Sequence, residues 1–174
     1  MNAILISCIT LTTVVWSNPT ASRSAPRRFV QDKAAILLTV TGEVDHPLKL
    51  TAADLAALPR LASRAKDHNG QEAAFEGVAL IEILKMAGLK FGEGMRGKAL
   101  STYLVVKASD GYQVVFTPPD LDPAFTDRLV LLADKKNGAP LSSAEGPLRV
   151  VVPDEKRQAR WVRNVLSISV RRAE

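Results

Sequence analysis

The sequence predicts an α+β domain: a single compact unit of mixed, mostly antiparallel sheets with one or two inserted helices. Three observations carry this. Short β-branched runs such as ILLTV, TYLVV and VLSISV recur along the chain, as strands do. Turn triplets HNG (68–70), SDG (109–111) and KNG (136–138) sit between such runs, as in hairpins. Helical spacing shows in the first half alone, and the connections are too short for repeated parallel crossovers.

Each element follows in order. Residues 35–44, AILLTVTGEV, read as a strand ending in a Gly turn, and HPLKL (46–50) as a second short strand. Thr51 has the character of an N-cap for TAADLAAL, with Asp54 three residues on, and Pro59 stops that helix. LASRAKDHNGQEAAFEGV (61–78) reads as a hairpin turned at HNG. Val78, Ile81, Leu84 and then Met86 or Leu89 recur near helical spacing, and Gly88 closes a helix of about ten residues. TYLVVKASDGYQVVF (102–116) is a second hairpin, and TPPDLDPAF (117–125) a Pro-rich loop with room for one helical turn. RLVLLADKKNGAPL (128–141), PLRVVVP (147–153) and VLSISV (165–170) supply the remaining strands.

The organisation is one domain, 35–174, after a linker at 26–34 and an expected signal peptide at 1–25. Ala3 to Trp16 is uncharged and apolar or hydroxylic, and SNPTASRSA follows. So short an apolar core suits export to the periplasm better than a spanning helix, which needs about 20 residues. The two residues before it, MN, lack the usual Lys or Arg; a misplaced start or an uncleaved anchor would account for that. Cys8 is the one cysteine. LISC resembles a lipoprotein box but lies too early. Removal of the leader leaves no disulfide and no thiolate ligand.

Apolar residues make up 47% of the chain, enough for a real core. The net charge of +5 is mild. It lacks the larger excess and basic–aromatic face of a nucleic-acid binder, so no nucleic-acid partner is expected.

Standard catalytic sets are missing. There is no Gly-rich phosphate loop, no GxSxG and no HExxH. His46 and His68 lie far apart, and neither has a second His at metal-ligand spacing. What remains is a binding constellation. Asp110-Gly111-Tyr112 sits at a hairpin turn, and Asp120 and Asp122 lie just downstream. The stretch VVPDEKRQARWVRNV (151–165) gathers Lys156, Arg157, Arg160, Trp161 and Arg163. Plain readings exist: a turn for DGY, an N-cap for DLDP, a solvated loop for RQARWVR. The functional reading joins them. Trp161 or a guanidinium gives a flat ring something to stack on. A carboxylate matches a guanidine-like edge with two N–H donors. Asp110 and Asp120 are the candidates for that edge, and Arg157 and Arg160 for the oxygens at the other end. A pterin has this layout.

The ordered series LTVTGEV, HPLKLTAADLAALP, FEGVALIEILKMAGL, VVKASDGYQVVF, LLADKKNGAPL, GPLRVVVP and ARWVRNV resembles the molybdopterin-binding domain of sulfite-oxidase-like oxidoreductases from Ile36 to Val170. The resemblance implies that family's fold, with the cofactor in a loop-lined cleft. In the enzymes a cysteine before the GV-x-L motif binds molybdenum. Here that segment, LASRAKDHNGQEAAFEG, has none, and Asp67 and His68 stand in its neighbourhood. A histidine replaces soft sulfur poorly. Arg160-Trp161 matches the basic–aromatic pair that the enzymes place near the dithiolene. The chain is similar to a short, exported, cysteine-free branch, which implies a periplasmic pterin-binding protein. Such a protein would be non-catalytic, with His68 closing the pocket, and would act as ligand-sensing partner of a membrane signalling protein. Its cofactor would be a reduced or molybdopterin-like pterin without molybdenum. The alternative is a molybdopterin-dependent oxidoreductase domain that holds its cofactor without a cysteine. An interaction domain with an empty cleft is a third reading.

Overall fold

The computed structural model describes residues 35–173. The expected leader, the linker and Cys8 lie outside them. Two five-stranded sheets share one apolar core. The first takes the order β2-β1-β10-β5-β6, from Leu48–Thr51, Ile36–Gly42, Val165–Arg172, Thr102–Ala108 and Gln113–Phe116. The second runs β3-β4-β7-β8, from Arg60–Lys66, Glu72–Ala79, Leu131–Lys136 and Ala139–Pro140, with β9 (Arg149–Val151) also on β7. Leu38, Leu104, Phe116 and Ile168 come from one sheet, Phe75, Leu132 and Val150 from the other, and all are buried in the shared core. Burying each such side chain contributes about 1.5–3 kcal/mol.

The two helices are short. In α1 (Ala52–Ala56) Thr51 and Asp54 form a reciprocal cap: the Asp54 carboxylate accepts from the Thr51 N–H at 2.8 Å, and Thr51 Oγ1 accepts from the Asp54 N–H at 3.3 Å. The second helix, α2, spans Leu80–Met86, fewer residues than the apolar spacing predicts. Val78 and Ala79 pair with Leu132 and Leu131 instead, so the strand claims the residues that would begin a longer helix. Leu80, Ile83 and Leu84 form its buried face.

All pairings are antiparallel except β1 with β10, the first and last strands, which run parallel from Thr39↔Ser167 to Gly42↔Val170. The register of β4 on β7 shifts between Glu76 and Gly77. A Cβ on Gly77 would lie 2.0 Å from the Leu132 carbonyl oxygen, so the strands approach there as only glycine allows. Past that irregularity, Phe75 pairs with Lys136. This pairing places Lys136 beside Asp67, which lines the site described below.

Candidate functional site

Two loops face each other over the second sheet. One is the β3–β4 turn, closed by Asp67 N–H to Gln71 O at 2.8 Å and Gly70 N–H to Asp67 O at 2.8 Å. The other joins β9 to β10 and holds a 3₁₀ turn at Gln158–Arg160. Between them lies a cleft of about 750 Å³, bounded by Lys66, Asp67, His68 and Gly70 on one side and by Pro153, Glu155–Ala159 and Trp161 on the other. That volume suits a small-molecule ligand.

Behind the lining residue Asp67 lies a charge cluster. Arg149 is fully buried. Its Nη2 donates to Asp67 Oδ1 at 2.8 Å and its Nη1 to Glu145 Oε1 at 2.5 Å. Lys136 Nζ donates to Asp67 Oδ2 and lies 3.5 Å from Glu145. Two cations and two carboxylates thus neutralise one another, as buried charges must. The guanidinium carbon of Arg149 lies 5.2 Å from the centroids of both Phe75 and Trp161, in cation–π range. Burial alone would raise the Asp67 pKa. The hydrogen bonds from Arg149, Lys136 and the His68 N–H outweigh it and hold the carboxyl far below the usual carboxylate range.

The rim is cationic and aromatic. Lys66, Lys156 and Arg157 are exposed around the cleft. The rings of His68 and Trp161 meet edge-on, with centroids 6.2 Å apart. Desolvation, then the charges of Arg163 and Arg149, push the His68 pKa below its ordinary value, so the imidazole is neutral near pH 7.

The residues expected from sequence divide into two groups. His68, Arg157 and Trp161 line the cleft. Trp161 is only 4% exposed, donates Nε1–H to the Val152 carbonyl at 3.0 Å and stands edge-on to Phe75. It therefore offers a ligand a rim, not the open stacking face that the sequence suggested. Arg160 turns away from the cleft: Nε donates to Glu155 Oε1 at 2.7 Å, and the guanidinium covers the Phe116 ring at 4.6 Å. Asp120 is engaged locally, accepting from the Thr117 N–H and Oγ1 at 2.8 Å and pairing with Arg128 at 3.4 Å. Asp110 accepts from the Tyr112 N–H at 2.9 Å within its own hairpin turn. Both aspartates lie outside the cleft lining, because each carboxylate holds the turn it sits in. Asp122, buried, likewise holds the Gly92 and Ala124 N–H groups. Tyr112 reaches the site indirectly: its hydroxyl donates to the Ala159 carbonyl at 2.7 Å.

Sequence reasoning missed Arg149, Lys136, Glu145, Lys66 and Glu155. Arg149 left one signal: a lone charge in the apolar run PLRVVVP, where a strand residue facing the core must find a partner.

Comparison with known proteins agrees with the fold and with the motif order. The family model "Oxidoreductase molybdopterin binding domain" matches residues 25–174. The "Uncharacterized oxidoreductase YuiH" of Bacillus subtilis (strain 168) is 30% identical over 145 residues, covering 79% of this chain and 67% of that protein. The crystal structure of the sulfane dehydrogenase SoxCD from Paracoccus pantotrophus superposes with a TM-score of 0.60 at 22% identity. The match covers 76% of this chain but 37% of that one, so what is shared with SoxCD is the fold of this single domain. The chain belongs to the oxidoreductase molybdopterin-binding domain family.

Proposed function

We propose that the cleft between Lys66–Gly70 and Pro153–Trp161 holds a molybdopterin-type pterin, and that the chain serves as a molybdopterin-dependent oxidoreductase domain gripping its cofactor without a cysteine. One observation carries this: a ligand-sized cleft whose wall residue Asp67 is held by an internally neutral charge cluster and whose rim carries Lys66, Lys156 and Arg157. The rim cations suit an anionic tail. The neutral imidazole of His68 offers one donor and one acceptor to a polar ring. These residues fit the organic part of the cofactor. They supply no donor set for its metal: among the described residues no three His, Cys, Asp or Glu side chains converge, and both Asp67 oxygens are held in ion pairs. When bound, a molybdopterin supplies redox chemistry at its metal; the side chains here bind and orient the pterin and its tail.

The lack of a cysteine among the described residues favours a second reading, in which the pterin is held without metal. The chain is then a non-catalytic, exported pterin-binding protein working with a membrane signalling protein. Export rests on the leader-like sequence at 1–25, and the signalling partner on the resemblance to the short, cysteine-free branch.

One preparation separates the two. Protein purified from a molybdenum-replete host is analysed for metal and for released pterin by fluorescence and mass spectrometry. About one Mo and one pterin per chain supports the oxidoreductase reading. Pterin without Mo supports the second. Neither one, with no heat on titrating reduced pterins, overturns both.

A further inference from the structure

Glu155 stands apart from the other carboxylates near the cleft. Asp67 and Asp120 have both oxygens engaged, and Asp110 holds its own hairpin turn outside the cleft lining. Glu155 lines the cleft with its side chain only 11% exposed. Its Oε1 accepts from Nε of Arg160 at 2.7 Å and also from Nη2. Its Oε2 is buried and has no hydrogen-bond partner among the described residues. Arg160 more commonly would meet a carboxylate with one donor per oxygen. Here both donors converge on one oxygen, and Arg160 is itself fixed over Phe116 and 3.8 Å from Asp120. The carboxylate is oriented, half satisfied and placed in the cleft wall. A buried acceptor left without a donor is costly, and a ligand donor removes that cost.

We propose that Glu155 is a specificity-determining residue: Oε2, closed off from solvent in this conformation, is uncovered by a small turn of the side chain, accepts the N–H donors of the ligand's amino-pyrimidinone edge and selects 2-amino-4-oxo pteridines over 2,4-dioxo ones. This rests on the pterin reading above. A carbonyl in place of the 2-amino group would set acceptor against acceptor in a desolvated wall. Arg160 acts through Glu155 as its positioning residue.

The test uses the full chain and two fluorescent probes, pterin-6-carboxylate and lumazine-6-carboxylate. They share ring system and tail and differ at C2. The wild type should bind the pterin roughly tenfold or more tightly than the lumazine, the scale of one charge-assisted hydrogen bond. Glu155→Gln, whose amide can donate to the C2 oxygen, should lose most of that preference. Arg157→Ala should weaken both probes alike. Equal affinity of the wild type for both probes, or an unchanged preference in a folded Glu155→Gln, overturns the role of Glu155 and leaves the pterin reading standing. Binding of neither probe overturns the pterin reading and this inference with it. Should Glu155→Gln lose the native circular dichroism, the wild-type ratio decides alone.

Discussion

At the scale of single residues, the site depends on a charge that the solvent never reaches. Arg149 is held by Asp67 and Glu145, and the same Asp67 anchors the loop that carries His68. Removing one partner of a buried pair strands the other. Asp67→Ala should therefore cost about 3–5 kcal/mol in urea denaturation, against under about 1 kcal/mol for an exposed pair such as Glu82–Lys85. Asp67 also sets an acid limb. Its folded pKa lies below its unfolded value, so the stabilisation is complete above pH ~4 and is lost as pH falls below that. Asp67→Asn should flatten the decline in melting temperature below pH ~4 relative to wild type; an unchanged slope would assign it to other carboxylates. None of this coupling was legible in the sequence. Asp67 and Arg149 are 82 positions apart, and no local pattern says which acid a buried arginine will meet. The same blindness led to Asp110 and Asp120, whose residue types suit ligand binding but whose carboxylates satisfy nearby backbone N–H groups first.

At the scale of elements, the turns were the most legible part, because their chemistry is local. Gly70, Asn137, Gly138 and Gly111 take positive φ where HNG, KNG and SDG predict them. The Thr51–Asp54 cap was legible for the same reason. The length of α2 was not, since β7 decides whether Val78 and Ala79 are strand or helix. Nor was the parallel β1–β10 pair, which joins opposite ends of the domain. The β4–β7 irregularity at Gly77 connects this scale to the site, because it brings Lys136 beside Phe75 and Asp67. Gly77→Ala drives a methyl into the Leu132 carbonyl. It should cost about 1–3 kcal/mol and, by displacing Lys136, reduce pterin retention even where the protein still folds. Thermal denaturation and bound-pterin fluorescence measured on one sample check both halves.

At the scale of the whole molecule, the net charge of +5 is modest, yet Lys66, Lys156 and Arg157 concentrate cation at one mouth. Exposed charges are screened over about 10 Å at 0.1 M salt. Affinity for pterin-6-carboxylate should therefore fall as salt rises, whereas the unfolding free energy, which depends on the buried cluster, should change little. A titration and a urea curve at low and high salt separate the two effects. The Gln158–Arg160 turn is tied across both sheets: Gln158 donates to the Lys66 carbonyl at the end of β3, and the Ala159 carbonyl takes the Tyr112 hydroxyl beside β6. It works as a hasp between two plates. Tyr112→Phe removes one of the two ties on this turn, so it should speed binding and release of pterin-6-carboxylate together in stopped-flow fluorescence and leave the equilibrium between them nearly where it was.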